Sequence, residues 1–184
     1  LAVSAGALNA LRREALVQME VQRTAVPARR AFDFVPPDAV KNSADKPQLT
    51  VSLRSARQLS AALLDLRPAR VYLPVELLAQ APPPPCAAQT EFFAVLPRIY
   101  RTKDEPVLRA LLARAAENGA TGAVIGNLGH LALARGLDLR LHGGWALNLY
   151  NSAALAFWKK EGLNSACVSF ELRQTQLRDL QKYL

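Results

Sequence analysis

Two cysteines, two histidines and one methionine are all the sulfur and imidazole that 184 residues offer to metal and redox chemistry. Cys86 and Cys167 lie most of the chain apart and form no CxxC, which excludes a disulfide framework and a zinc-ribbon pattern. His130 and His142 do not form HExxH. No metal site is expected within this chain alone. Cys167, in "SACVSF", reads as a small buried hydrophobe, and a reducing cytoplasm suits such cysteine usage. No apolar run approaches about 20 residues, so no membrane span is expected. The chain opens at Leu1 without a signal-peptide pattern and reads as an excised fragment of a longer protein.

Hydrophobic residues make up 51% and charged residues 21%, a globular composition. Lys and Arg number 23 against 15 acids, a net charge of +8. That excess suits a polyanionic partner, RNA foremost, although arginines spread as in "LLARAAENG" also make ordinary solvated helix faces.

Residues 4–22 place Leu8, Leu11, Ala15, Leu16 and Met19 at helical spacing, with Ser4 as N-cap. From Ala25 to Pro47, "VPPD" and "KNSADKP" mark an irregular connector. The domains expected are therefore 1–47, helix and connector, and 48–184.

After Pro47 strands and helices alternate. "QLTVSL" precedes "SARQLSAALLDL", capped by Ser55, and "ARVYLPV" precedes a short "ELLAQ" turn. "TEFFAVLP" leads to "DEPVLRALLARAAENG", with Pro106 at its start and Gly119 at its end. "TGAVIGN" with "LGHLALARG", "DLRLHGG" with "NSAALAFWKKEG", and "SACVSFEL" with "QTQLRDLQKYL" complete six units. Such alternation predicts an α/β fold with a parallel sheet and right-handed crossovers. No GxGxxG follows the first strand, which favours an incomplete (β/α) TIM-like barrel over a dinucleotide-binding sheet.

Parallel α/β folds bind ligands beyond the carboxyl ends of their strands. Arg98, Asn127, His142 and Glu171 fall there, with Asn148 and Asn151 in the fifth loop. These six are the candidate substrate-binding residues of one barrel mouth, and no catalytic residue is assigned. Each also has a plain structural role available. Asn151 or Ser152 suits a helix cap, Asn127 and His142 stand beside turn glycines, Glu171 suits a helix start, and Arg98 an ion pair. No Ser-His-Asp order or paired acids with an adjacent His adds catalytic chemistry.

"LNLYNSAALAFWKKEGLNSACVSFEL" resembles the late-barrel signature of the collagenase-like peptidase family U32, at Leu147, Asn148, Asn151, Ser152, Phe157, Gly162, Ser169, Glu171 and Leu172. "ENGATGAVIGNLGHLAL" is similar to the preceding family segment, at Gly119, Gly126, Asn127 and Gly129. "VLPRIYR" looks like the third strand, and "LNALRREAL" resembles the connector of long members with a second, C-terminal U32-like region. The resemblance implies a (β/α) barrel and a history of peptidase or collagenase naming. It also implies relatives that hydroxylate RNA bases or quinone rings with cysteine-bound iron–sulfur clusters. The family's Glu-x-Phe…Cys…Gly-x-Cys pattern is absent, and "VSLRSA" replaces its opening Ala-Pro-Ala-Gly. Any such cluster is therefore expected elsewhere in a parent protein.

Three functions follow as alternatives. The chain is a non-catalytic barrel giving RNA or substrate binding to an RNA-modifying parent enzyme, a collagenase-like hydrolase domain, or a purely structural module. The remainder of the parent polypeptide is the expected partner, and an open barrel edge suits a homodimer. The apolar stripe from Leu8 to Met19 is the expected cover of that edge.

Overall fold

In the computed structural model, residues 3–28, 31, 33, 35, 38, 46–84 and 89–180 are described. Contacts group the chain into two units, Leu1–Val35 and Pro36–Leu184. The first is built on α1 (Ala5–Thr24), whose N-terminus is capped by Ser4, its Oγ accepting the Ala7 N–H at 3.2 Å. No residue of α1 is buried.

The second unit runs β1 (Thr50–Ser52), α2 (Ala61–Asp65), β2 (Arg70–Pro74), α3 (Val75–Gln80), β3 (Glu91–Val95), α4 (Glu105–Glu117), β4 (Gly122–Ile125), α5 (Gly129–Ala134), β5 (Arg140–Gly143), α6 (Ser152–Lys160), β6 (Leu163–Ala166) and α7 (Gln174–Leu180). All strand pairs are parallel, in the order β1-β2-β3-β4-β5-β6. The sheet curls into a half-barrel with the helices on its convex side, the incomplete TIM-like barrel expected from the alternation. An Arg70 Nη1–H donates to Ser165 Oγ at 2.9 Å, so the curl brings β2 and β6 within side-chain reach. Strands β1 and β6 do not pair with each other, so the barrel is open between them.

Strand periodicity sorts residues between two faces. Val71, Leu73, Phe92, Ala94, Ala123 and Ile125 face outward and form one core with Leu78, Leu112, Leu133 and Trp158 of the helices. Full burial of an aliphatic side chain such as Leu112, with no exposed surface, contributes about 1.5–3 kcal/mol. Phe93 is 1% exposed yet stands outside this core, because it points to the concave side.

Three elements differ from the sequence reading. The helix read in "SARQLSAALLDL" breaks into a 3-10 turn, Ala56–Gln58, and α2. Gln58 Oε1 accepts the N–H groups of Arg54 and Ser55, closing the turn, and Ser60 then caps a new helix through the Leu63 N–H at 3.3 Å. "ELLAQ" is not a turn but most of α3, which buries Val75, Leu78 and Ala79. The sixth strand begins earlier than "SACVSFEL". Val168 forms only an isolated bridge to Leu149, because the Ser169 N–H binds the Leu149 carbonyl of the fifth loop rather than continuing the β5–β6 ladder. Cys86 lies outside the described residues. No described helix is long and apolar enough to cross a membrane.

Candidate functional site

The concave face is polar. β2 contributes Arg70 and Tyr72, β3 Glu91 and Phe93, and β5 Arg140 and His142, each pair two residues apart and so on one side of its strand. Arg70 and Glu91 are direct cross-strand partners, with Arg70 Nε–H donating to Glu91 Oε2 at 2.9 Å. Arg140 pairs with the other oxygen of Glu91. Both guanidiniums lie over the Phe93 ring, Arg70 at 5.0 Å and Arg140 at 5.9 Å from its centroid. The Phe93 ring lies across β4 at Gly122, where a Cβ would collide with it. Glycine is required there by close approach rather than by backbone conformation.

A bulge sets the β6 contribution. Leu141 pairs with Leu163 but His142 with Ser165, so Asn164 is passed over. Asn164 Oδ1 accepts the Leu141 N–H at 2.8 Å, replacing the interrupted ladder bond. Without this extra residue Asn164 would stand opposite His142. With it, Ser165 meets His142 Nδ1 at 2.9 Å, and Cys167 reaches the interior.

Ser165 Oγ accepts from Arg70 and also bonds His142 Nδ1, so it links the guanidinium to the imidazole. Burial, and then the Arg70 charge, push the His142 pKa down to about 4. The neutral ring stacks on Tyr72 at 5.2 Å.

Above this network lies a cavity of about 460 Å3. Thr50, Ser52, Arg70 and Tyr72 line one side. Val95, Val124, His142, Gly144, Trp145 and Cys167 complete the lining. At the rim, Trp145 is 53% and Phe170 75% exposed, their centroids 6.0 Å apart. Arg98 sits over Trp145 at 4.8 Å.

The six candidate residues are only partly united. Asn127 Nδ2 donates to the Arg98 carbonyl at 3.2 Å, joining the third and fourth loops. His142 lies inside the barrel, with Tyr72 and Ser165. Asn151 caps α6, its Oδ1 accepting the Ala154 N–H at 2.8 Å. Asn148 closes a 3-10 turn in the left-handed region, with φ 47°. Glu171 is exposed, and α7 starts beyond it at Gln174, so it does not begin that helix. Among the described residues, no side-chain hydrogen bond joins Asn148, Asn151 or Glu171 to Arg98, Asn127 or His142.

The "GNLGH" segment is a clamp. His130, 1% exposed, accepts the Gly126 N–H on Nδ1 at 2.9 Å, which leaves Nε2–H to donate to the Pro97 carbonyl at 3.2 Å. Asn127 Oδ1 accepts the His130 N–H, and a Cβ at Gly129 would strike the Tyr100 hydroxyl. Burial lowers the His130 pKa, and the hydrogen bond to the Pro97 carbonyl partly opposes it. The clamp thus holds a neutral imidazole between the third and fourth rim loops.

The sequence reading considered only strand ends and missed Arg70, Tyr72, Glu91, Arg140 and Ser165. The alternation of charged or aromatic with aliphatic residues in "RVYL", "EFFAV" and "RLHG" carried the signal.

A parallel half-barrel with a polar interior opening at one rim is a ligand-binding or catalytic framework. Residues 63–184 match the profile of peptidase family U32. The chain belongs to that family. No curated protein sequence matches it significantly. The iron–sulfur cluster implied by the family resemblance does not fit the described residues. Cys167 is the only cysteine among them, burial pushes its thiol pKa up, and no three of His, Cys, Asp and Glu gather to hold a metal.

Proposed function

We propose that this U32 barrel binds substrate rather than cleaving it, and that it presents single-stranded RNA to a parent enzyme that modifies the bases. The observation that carries this reading is the exposed pair Trp145 and Phe170 beside Arg98. Exposed rings flanked by a guanidinium stack unpaired bases, and the +8 net charge attracts the phosphate backbone. The test is fluorescence anisotropy of a labelled single-stranded oligoribonucleotide, titrated at several salt concentrations. Affinity is expected to fall with salt, and Trp145→Ala to weaken binding about tenfold, since one base stack contributes about 1–3 kcal/mol. Binding that is absent, or unchanged in Trp145→Ala, refutes the reading.

A collagenase-like hydrolase is the second reading, favoured by one observation, the Ser165–His142 pair at 2.9 Å. Against it, His142 with a pKa of about 4 is a weak base at neutral pH, and no carboxylate orients its Nε2 among the described residues. Pure protein is expected to leave gelatin intact. Cleavage abolished by Ser165→Ala would establish the hydrolase instead.

A further inference from the structure

We propose that the barrel interior is a binding site for a small organic anion, its carboxylate or phosphate held by Arg70, Tyr72 and His142 and its apolar body by Val95, Val124 and Trp145.

The cavity of about 460 Å3 lies within the range of small-molecule sites. Its polar lining supplies donors. His142 meets Ser165 through Nδ1, and its Nε2 has no partner among the described residues. Arg70 uses Nε toward Glu91 and Nη1 toward Ser165, leaving Nη2 without an acceptor among the described residues. Tyr72 lines the cavity, and its hydroxyl makes no hydrogen bond to a described residue. Thr50 and Ser52 add hydroxyls from β1.

Acceptors are scarce. No Asp or Glu among the described residues lines the cavity, and Glu91, a nearby acid, is bound by both Arg70 and Arg140. Two guanidiniums against one carboxylate leave an excess positive charge beneath the cavity floor, next to a neutral imidazole. A ligand rich in acceptors and negatively charged satisfies these groups, and a cation does not. Val95, Val124 and Trp145 add apolar lining, which calls for a body larger than an inorganic ion.

This site shares Trp145 with the rim, but its anion-binding end at Arg70, Tyr72 and His142 does not depend on base stacking and survives failure of the RNA reading. It is tested on the protein as it stands, with benzoate, inorganic phosphate and benzamidine as probes. Binding is followed by the NMR shifts of the His142 and Trp145 side chains, with Trp158, outside the barrel, as internal control. Benzoate or phosphate is expected to move the His142 and Trp145 signals saturably and leave Trp158 unmoved. Benzoate binding more tightly assigns a carboxylate with an apolar body, and phosphate binding more tightly assigns a phosphorylated compound. Tyr72→Phe, which removes one hydroxyl, and Arg70→Lys are each expected to weaken the preferred probe about tenfold, as loss of a charge-assisted bond does. Should either variant fail to fold, the wild-type titrations alone decide between anion and cation. The proposal is overturned if neither anion gives a saturable shift at His142, if benzamidine binds as tightly, or if folded Tyr72→Phe binds like wild type.

Discussion

Replacing His142 by Gln removes one titrating group from the barrel interior while keeping a hydrogen-bond partner for the Ser165 hydroxyl. In the folded protein burial, and then Arg70, hold the His142 pKa at about 4, against 6.5 for the free side chain. The unfolded chain therefore binds more protons than the folded one between these values. The His142 contribution is intact above about pH 6.5 and is lost as pH falls toward about 4. For a shift of that size, the linkage relation gives a loss of about 2 kcal/mol between about pH 7 and pH 5. The ring is only partly buried beside an open cavity, so solvent screening trims this to about 1–2 kcal/mol. The assay is urea unfolding of wild type and His142→Gln across that range. His130, also lowered by burial, titrates in both proteins and cancels in the difference. Wild type is expected to lose about 1–2 kcal/mol relative to the variant on acidification. Parallel stability curves would refute the placement of His142 as a neutral interior group.

Gly122→Val drives a branched side chain into the Phe93 ring, and a loss of about 1–3 kcal/mol in denaturant melts is expected, partly recovered by adding Phe93→Leu. Asn151→Ala removes the α6 cap and is expected to lower stability by about 1 kcal/mol, with no change in benzoate or RNA binding. Asn148→Gly should be tolerated at φ 47°, whereas Asn148→Val should lower the urea midpoint, because a branched side chain resists the left-handed region. His130→Ala leaves the Gly126 N–H and Pro97 carbonyl without their partner, and a loss of about 3 kcal/mol or more is expected by calorimetry.

The order of elements was legible in the sequence because each rests on local rules. Ser4, Ser55 and Asn151 accept the backbone N–H bonds that start their turns or helices. Gly119 and Gly162 follow α4 and α6 at φ 101° and 100°, a conformation that side chains resist. Aliphatic runs between such signals had to be buried strands, and their alternation with helices required a parallel sheet. The resemblance to the U32 family was readable for a related reason. "GNLGH" and the Asn148–Asn151 turn are loop geometries that tolerate few residue types, as the His130 clamp and the Asn148 backbone show.

The interior network depended on pairing that no local signal encodes. Arg70 and Ser165 are 95 residues apart, and only the curl of the sheet brings them together. The bulge at Asn164 decides which β6 side chains enter the barrel, and it arises from the β5–β6 register rather than from a turn signal. Without that register, Ser165 and Cys167 would face the helices, and His142 would meet Asn164. Chain-local propensities thus chose the strands and helices, while sheet curvature and register, which sum contacts across the whole half-barrel, chose the residues that face the cavity.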